Sequence, residues 1–164
     1  MNRKHLLNLL LVILISFIST GSNAQQLYKN AIGLRISGVS SLGGPGVTYK
    51  HYLNDKAAVE GILSFKDPVG IGAMYQIHKP WNVITNLNWY YGGGAFVTFS
   101  KPSIGAGGMG VIGVDYKFDN LPLNIALDWK PEIALAPKVG VNFNTFGLSL
   151  RVTLDKKQSA SESE

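Results

Sequence analysis

The stretch FGLSLRVTL, residues 146–154, alternates strictly between two kinds of side chain. Every second residue from Phe146 to Leu154 is large and apolar, whereas the residues between them are small or polar and include Arg151. Alternation with a period of two is typical of a β-strand whose two faces meet different environments. About ten residues of this kind are enough for a tilted strand to cross a bilayer. The stretch therefore predicts a strand with one apolar face and one polar face.

The same alternation recurs in seven earlier segments, which are separated by turn clusters rich in Pro, Gly, Asn, Asp and Lys. Their apolar rows begin at Ile32, Val47, Val59, Val69, Leu87, Ile112 and Leu123. The longest connection, residues 131–142, is predicted to be a loop. Eight such segments predict an all-β chain that folds as an eight-stranded antiparallel up-and-down transmembrane β-barrel over residues 25–154.

The composition excludes several other classes of protein. Of the 164 residues, 46% are apolar and 15% are charged, whereas an average soluble domain has roughly 25% charged residues. The apolar content excludes a disordered chain, and the absence of Cys excludes disulfide scaffolds and thiolate metal sites. The net charge of +5 comes from scattered Lys and Arg, so we expect no nucleic-acid partner. No metal-ligand spacing or cofactor motif is found, and we expect neither a metal nor a cofactor.

Both ends of the chain differ from the barrel segments. Arg3 and Lys4 precede an apolar stretch over residues 6–18, and Ser22 and Ala24 occupy the small positions of a cleavage site. This order predicts a secretory signal peptide, residues 1–24, that is cleaved after Ala24. The alternative, an N-terminal membrane anchor, requires a longer apolar core. Residues 155–164 are polar and rich in Ser and Glu, which predicts a disordered tail.

The alternation alone leaves the orientation of the two faces open. A soluble lipocalin-like barrel would carry its apolar row inside and its charges outside. We expect the opposite, because one row is uniformly large and apolar while the other combines Gly and Asn with charged residues. A charged side chain facing lipid at the bilayer midplane costs about 2–4 kcal/mol. Aromatic residues near the predicted strand ends would form the membrane-interface girdles: Tyr49, Tyr91, Tyr116, Phe118 and Trp129.

The polar row predicts a buried ionic layer in the lumen of the barrel. The three-residue turn at 54–56 places Lys50 directly opposite Glu60 on the next strand. Other charged residues fall at a similar height, which gives a layer of Arg35, Lys50, Glu60, Asp115 and Arg151. The layer either fills the lumen and neutralises itself or forms a proton or ion path. The first is favoured, because the interior of an eight-stranded barrel is only wide enough for its own side chains.

Three stretches resemble a family of small bacterial outer-membrane β-barrel proteins of the OmpA/OmpX-like kind. They are GVTYKHYL at 46–53, NWYYGGGA at 88–95 and LPLNIALDWKP at 121–131, of which the last is the most specific. The resemblance covers most of the chain after the predicted signal peptide and implies an eight-stranded barrel in the outer membrane, without a catalytic motif. One departure is the last strand, which ends at Leu154 where such barrels usually end on an aromatic residue.

These observations predict a structural or envelope-complex role with a plugged lumen and no open pore. The expected partner is outer-membrane lipid, with another envelope protein as the second candidate. The barrel would act as a monomer or as a subunit of a membrane complex. The alternative is an outer-membrane lipid-modifying enzyme, an acyltransferase or deacylase, which would need a His base near the outer leaflet. His51 and His78 fall near turns on the periplasmic side, and His78 is expected to be solvated. We therefore expect no enzymatic activity.

Overall fold

All regular structure in this computed structural model, which describes residues 28–38 and 40–154, consists of β-strands. No described segment forms a helix long and apolar enough to span a membrane. The predicted signal peptide, 1–24, and the predicted tail, 155–164, lie outside the described residues. The strands are β1 (Asn30–Ser37), β2 (Gly44–Tyr52), β3 (Ala57–Ser64), β4 (Val69–Pro80), β5 (Leu87–Ser100), β6 (Ser103–Lys117), β7 (Leu123–Trp129), β8 (Glu132–Ala136), β9 (Gly140–Asn142) and β10 (Phe146–Thr153).

Eight of these strands close into an antiparallel barrel. Each of the strands β1 to β6 pairs with the strand that follows it in the chain. β7 then pairs with β10, and β10 pairs with β1, which closes the barrel. Closure leaves the barrel wall without the unpaired edges of an open sheet. The predicted fold class, an all-β eight-stranded antiparallel barrel, is confirmed.

The connection expected to be a loop, residues 131–142, contains two strands instead. β8 pairs with the N-terminal half of β6, and β9 pairs with β8. The two strands therefore extend the barrel wall beyond the ends of β7 and β10. The expectation of a loop is wrong, although the region contains the turn-forming residues Pro131 and Pro137. They flank β8 rather than interrupt it, and therefore remove no hydrogen bond from its middle.

The strands are strongly staggered around the barrel. Following the register from Gly33 through β2, β3, β4 and β5 leads to Gly107 on β6. Following it the other way, through β10 and β7, leads to Lys117 on the same strand, ten residues further along. Such a stagger requires the strands to tilt against the barrel axis.

The barrel has two distinct ends. The terminal end carries the start of β1, the finish of β10 and the turns at 53–56, 81–86 and 118–122. The loop end carries the connections 38–43, 65–68 and 101–102 and the β8–β9 extension.

The faces of the strands have the orientation predicted from the sequence. Leu34, Ile36 and Ile104 are outward and more than 60% exposed, at 68%, 66% and 63%. Inward charged residues such as Asp128 are no more than 2% exposed. The polarity is thus the reverse of that expected for a soluble lipocalin-like barrel, which would bury its apolar row.

Candidate functional site in the barrel lumen

The lumen contains a balanced set of buried ionic side chains. In the described part of the chain, four cations and four anions are buried: Arg35, Lys50, Lys130 and Arg151, with Glu60, Asp115, Asp128 and Glu132. A buried charge is tolerated only when it is paired and hydrogen-bonded. The equal numbers allow each charge to have a partner, and the side chains form three groups.

The first group, called the central cluster, consists of Lys50, Glu60, Asp115 and Arg151. Lys50 lies directly opposite Glu60 in the β2–β3 register, as the three-residue turn predicts. The Lys50 Nζ lies 3.1 Å from Asp115 Oδ2 and 3.7 Å from Glu60 Oε2. Arg151 Nη2 forms an ion pair with Glu60 Oε1. The structure therefore brings four of the five predicted ionic residues together.

Neutral side chains complete the hydrogen bonding of the two carboxylates. Thr48 Oγ1 donates to Glu60 Oε1 at 2.5 Å, and Gln76 Nε2 donates to Glu60 Oε2 at 2.7 Å. Asn124 Nδ2 donates to Asp115 Oδ1 at 2.7 Å. Each carboxylate oxygen thus has at least one donor, which holds the cluster in one arrangement.

Arg35 forms a second group with Asp128 rather than joining the central cluster. Its guanidinium donates twice to the carboxylate, at 2.8 Å from Nη1 and 2.6 Å from Nη2, and Nη1 also donates to Ser149 Oγ at 2.9 Å. Tyr90 OH donates to Asp128 Oδ2 at 3.1 Å. A methyl group at Gly147 would overlap the guanidinium, so this glycine provides the space for the pair. Asp128 is not among the residues of the predicted ionic layer.

Lys130 and Glu132 form the third group, at the loop end. Lys130 Nζ lies 3.1 Å from Glu132 Oε1, and Glu132 Oε2 accepts a hydrogen bond from the Ser41 backbone N at 2.8 Å. This pair is not among the predicted residues, because Lys130 borders and Glu132 lies within the segment 131–142, which is predicted from the sequence to be a loop. The inward direction of Glu132 depends on strand β8.

His78 is buried in the lumen, and the expectation that it is solvated is wrong. The residue is 2% exposed, and its ring lies 4.9 Å from that of Tyr52 and 4.8 Å from that of Tyr90. Its Nδ1 lies 2.9 Å from Tyr52 OH, and its Nε2 lies 3.2 Å from Gln76 Oε1. The cause is the length of β4, which continues to Pro80 and keeps His78 on the inward row.

His51 lies on the other face of the wall, at the terminal end. Its Nδ1 lies 2.7 Å from Asn30 Oδ1, and the side chain is half-buried. Acyl-transfer chemistry would need a histidine hydrogen-bonded to a nucleophile and oriented by a third group. The hydrogen-bonding partner of the His51 ring is Asn30, and those of the His78 ring are Tyr52 and Gln76.

The five predicted interface aromatics lie on the outer face or at its margin. Tyr49, Tyr91 and Trp129 point outward and are at least 36% exposed. Tyr116 and Phe118 form an edge-to-face pair at the terminal end, with ring centroids 5.0 Å apart. Trp129 Nε1 donates to the Phe143 carbonyl at 2.5 Å, near the loop end.

One part of the lumen is apolar and was not predicted. Its wall, on the inner faces of β3 to β6, is made by Ile62, Met74, Phe96, Met109 and Val111, and this space is called the apolar compartment. Leu42, from the connection between β1 and β2, fills it and is 1% exposed. No periodic pattern predicts the position of Leu42, because a turn that folds inward has no repeat.

The closeness of the Leu42 side chain to β4 explains two glycines. A Cβ at Gly70 would lie 2.6 Å from Leu42 Cδ2, and one at Gly72 would lie 2.5 Å from Leu42 Cδ1. Ser64 Oγ donates to the Gly43 carbonyl at 2.5 Å and holds the connection over the barrel mouth. Leu42 therefore closes the loop end of the lumen.

Tyrosines close the opposite end. Tyr28 and Tyr52 are both buried, and their rings pack edge to face with centroids 5.1 Å apart. Tyr28 OH also donates to Asp115 Oδ2 at 3.1 Å, which ties this end to the central cluster. Buried side chains thus lie at both ends of the lumen and at its middle.

Among the described residues, no group of three or more His, Asp or Glu side chains is arranged to hold a metal ion. No protein-family model, curated protein or solved structure matches the chain. The arrangement of the lumen, with paired charges and an apolar compartment, is therefore the basis for a functional interpretation.

Proposed function

We propose that the chain is an integral outer-membrane β-barrel protein of the OmpA/OmpX-like kind, with a structural or envelope-complex role and no open pore. The observation that carries the proposal is the reversed polarity of the barrel. Aliphatic and aromatic side chains cover its outside, and ionic side chains occupy its inside.

The outer surface of the barrel exposes more apolar side chains than is usual for a protein in contact with water. Large hydrophobic residues are exposed on each of the eight strands that close the barrel, for example Leu34 on β1, Ile71 on β4 and Leu150 on β10. Soluble monomers rarely expose contiguous apolar patches of more than a few hundred Å². A bilayer removes this surface from water, and a closed barrel satisfies every backbone group of its wall without water.

The charged residues at the two ends of the barrel also support a location in a membrane. Exposed charged residues lie in the turns at both ends, with Asp55 and Lys56 at the terminal end and Lys66, Asp67 and Lys101 at the loop end. Such residues would lie in the headgroup and water layers, while the apolar belt between them would lie in hydrocarbon. The predicted signal peptide would deliver the terminal end to the periplasm, which leaves the loop end at the cell surface.

The filled lumen supports a structural role over a channel. The central cluster and the Arg35–Asp128 pair occupy the interior, and Leu42 and Tyr52 close its ends. A path for water or ions would require these side chains to move apart and leave charges unpaired. The proposed partner is outer-membrane lipid around the belt, and the second candidate is another envelope protein bound through the same outer face.

The proposal is tested by fractionation of cells expressing the full chain, followed by gel electrophoresis with and without boiling. We expect the protein in the outer-membrane fraction and a boiling-dependent change of mobility, because closed barrels resist the detergent until heated. Recovery in the soluble periplasmic fraction would overturn the membrane placement. Sustained single-channel conductance of the purified protein in planar bilayers would overturn the absence of a pore.

A further inference from the structure

The outward rows of the strands carry one charged side chain in the described structure. Lys79, the last residue of β4 before Pro80, lies on the outward row of that strand with Tyr75 and Ile77. Every other charged residue within the ten strands lies on an inward row. Because β4 ends at Pro80, the charge lies at the margin of the apolar belt, at the terminal end. A charge on a lipid-facing surface costs least at this depth.

Two aromatic rings hold the Lys79 side chain against the wall. Lys79 pairs with Trp89 in the β4–β5 register, and both side chains are half-buried. The Lys79 Nζ lies 5.4 Å from the centroid of the Trp89 ring and 5.8 Å from that of the Tyr91 ring. The two rings stack with their centroids 5.5 Å apart. A cation within about 6 Å of a ring centroid is attracted to the ring face, so the ammonium has a defined position on the outer surface.

Lys79 has no anionic partner among the described residues. The ion pairs of the described structure all lie in the lumen, and none of them includes Lys79. The lumen charges balance one another, so no buried carboxylate is left over to neutralise this ammonium. Aromatic rings stabilise a cation without neutralising it. A lysine at a membrane surface attracts anionic headgroups, which would supply the missing charge.

A recess without large side chains leads from these rings towards the middle of the belt. After Tyr91, the outward row of β5 continues with Gly93 and Ala95, which pair with Gly110 and Gly108 on β6. A Cβ at Gly93 or at Gly108 would meet one backbone carbonyl and no side chain within 4 Å. The recess therefore leaves space for the chains of a ligand whose head lies at Lys79.

We propose that Lys79, Trp89 and Tyr91 bind one anionic glycerophospholipid from the leaflet at the terminal end of the barrel. The Lys79 ammonium pairs with the phosphate, the two rings contact the glycerol and the upper part of the chains, and the chains lie in the recess along Gly93 and Ala95. An anionic lipid is favoured over a zwitterionic one, because the amine of a zwitterionic head already neutralises its own phosphate. The inference rests on the membrane location proposed above, and it adds the class of lipid and the place where it binds.

The test uses Trp89 as a reporter of the lipid beside it. The full chain, with Trp81→Phe and Trp129→Phe, is folded into phosphatidylcholine vesicles. These vesicles contain an increasing share of phosphatidylglycerol that carries bromine on its acyl chains, and bromine quenches tryptophan fluorescence on contact. A parallel series uses brominated phosphatidylcholine. We expect half-maximal quenching of Trp89 at a roughly fivefold lower share of the anionic lipid, because one lysine supplies the preference. Equal shares in the two series would overturn the proposal.

Lysine variants test whether Lys79 causes the preference. Lys79→Gln removes the charge and should bring the two half-maximal shares together, whereas Lys79→Arg should keep them apart. Lys56→Gln is the matched control, because Lys56 is an exposed lysine in a turn at the same end of the barrel, and it should leave the preference unchanged. A preference that survives Lys79→Gln would overturn the proposal, and so would one that is lost in Lys56→Gln.

A second reporter separates a site from a general attraction of anionic lipid to the barrel. Trp129 lies near the loop end, on another part of the outer face, and it becomes the reporter in a chain with Trp81→Phe and Trp89→Phe. Its quenching should show no preference between the two lipids. The same preference at Trp129 as at Trp89 would overturn the site. If Lys79→Gln does not fold, this comparison of the two reporters still decides the matter.

The outcomes also distinguish this inference from the membrane location. Equal quenching of Trp89 by both brominated lipids would reject the anionic-lipid site and leave the membrane location intact. If neither lipid quenches Trp89 in a barrel with the boiling-dependent mobility of a folded protein, the outer face does not contact lipid. That result would reject the membrane location and the lipid site together.

Discussion

Glu60 is the residue on which the central cluster depends. It meets Lys50, Arg151, Thr48 and Gln76, and its side chain is fully buried. Loss of one member of a buried ionic group leaves a charge without compensation, which is much more costly than loss of an exposed ion pair.

Glu60→Ala should therefore lower the free energy of unfolding of the barrel by about 3–5 kcal/mol. The measurement is urea unfolding in lipid vesicles, with Val59→Ala, an outward neighbour on the same strand, as the control. The double variant Glu60→Gln with Lys50→Met should recover part of the loss, because it removes one charge of each sign. A Glu60→Ala protein as stable as Val59→Ala would contradict the role given to the cluster.

Two glycines offer a matched comparison of space on the two faces of the wall. A methyl group at Gly147 would overlap the Arg35 guanidinium, whereas nothing lies within 4 Å of a Cβ at Gly61. Gly147→Ala should destabilise the barrel by about 1–3 kcal/mol, because overpacking displaces the Arg35–Asp128 pair. Gly61→Ala should have almost no effect in the same unfolding assay. The reverse order of stabilities would contradict the inward position of Gly147.

At the scale of elements, strand β10 and the pairing of Lys50 with Glu60 could be predicted from the sequence, whereas the extension formed by β8 and β9 could not. The alternation in β10 indicates a strand directly, since period two is a local property. The pairing of Lys50 with Glu60 follows from turn length, which is also local. β8 lies between two prolines and has only five residues, so its existence depends on the edge of β6 that it joins.

The parts of the site that were missed have non-local causes. The Arg35–Asp128 pair requires β10 to lie between β1 and β7 and Gly147 to leave space, and neither condition is visible in one segment. Leu42 enters the lumen because Gly70 and Gly72 on a different strand have no side chains. Alternation predicts which face a residue occupies, but it does not predict which distant residue it meets.

Amide hydrogen exchange should distinguish β8 from a loop. The amides of Ala134 and Ala136 should exchange more slowly than those of Lys138 and Val139, because β8 lies between β6 and β9 while the turn is exposed. The measurement is exchange followed by NMR in micelles. Equal rates across residues 132–140 would show that the extension does not persist in solution.

At the scale of the whole molecule, the reversed polarity makes the outer face intolerant of charge. Leu34 lies in the middle of β1, whereas Leu53 lies in a turn at the terminal end, and both are exposed. In a membrane, Leu34→Arg should cost about 2–4 kcal/mol and Leu53→Arg about 0–1 kcal/mol, because the cost falls towards the interface.

The readout is the fraction of each variant that is folded in the outer membrane, measured from the boiling-dependent mobility change. Leu34→Arg should reduce this fraction strongly, and Leu53→Arg should retain the wild-type value. Equal folded fractions of the two variants would show that the two positions do not differ in their depth in a bilayer. That result would contradict the placement of the apolar belt in a membrane.

The hydrogen bond from Ser41 N to Glu132 joins residues separated by 91 positions. Ser64 on β3 holds the same connection from the near side, through the Gly43 carbonyl. The second attachment, on the far side of the mouth, can form only after β8 has joined β6, so the connection is fixed at both sides only in the completed barrel.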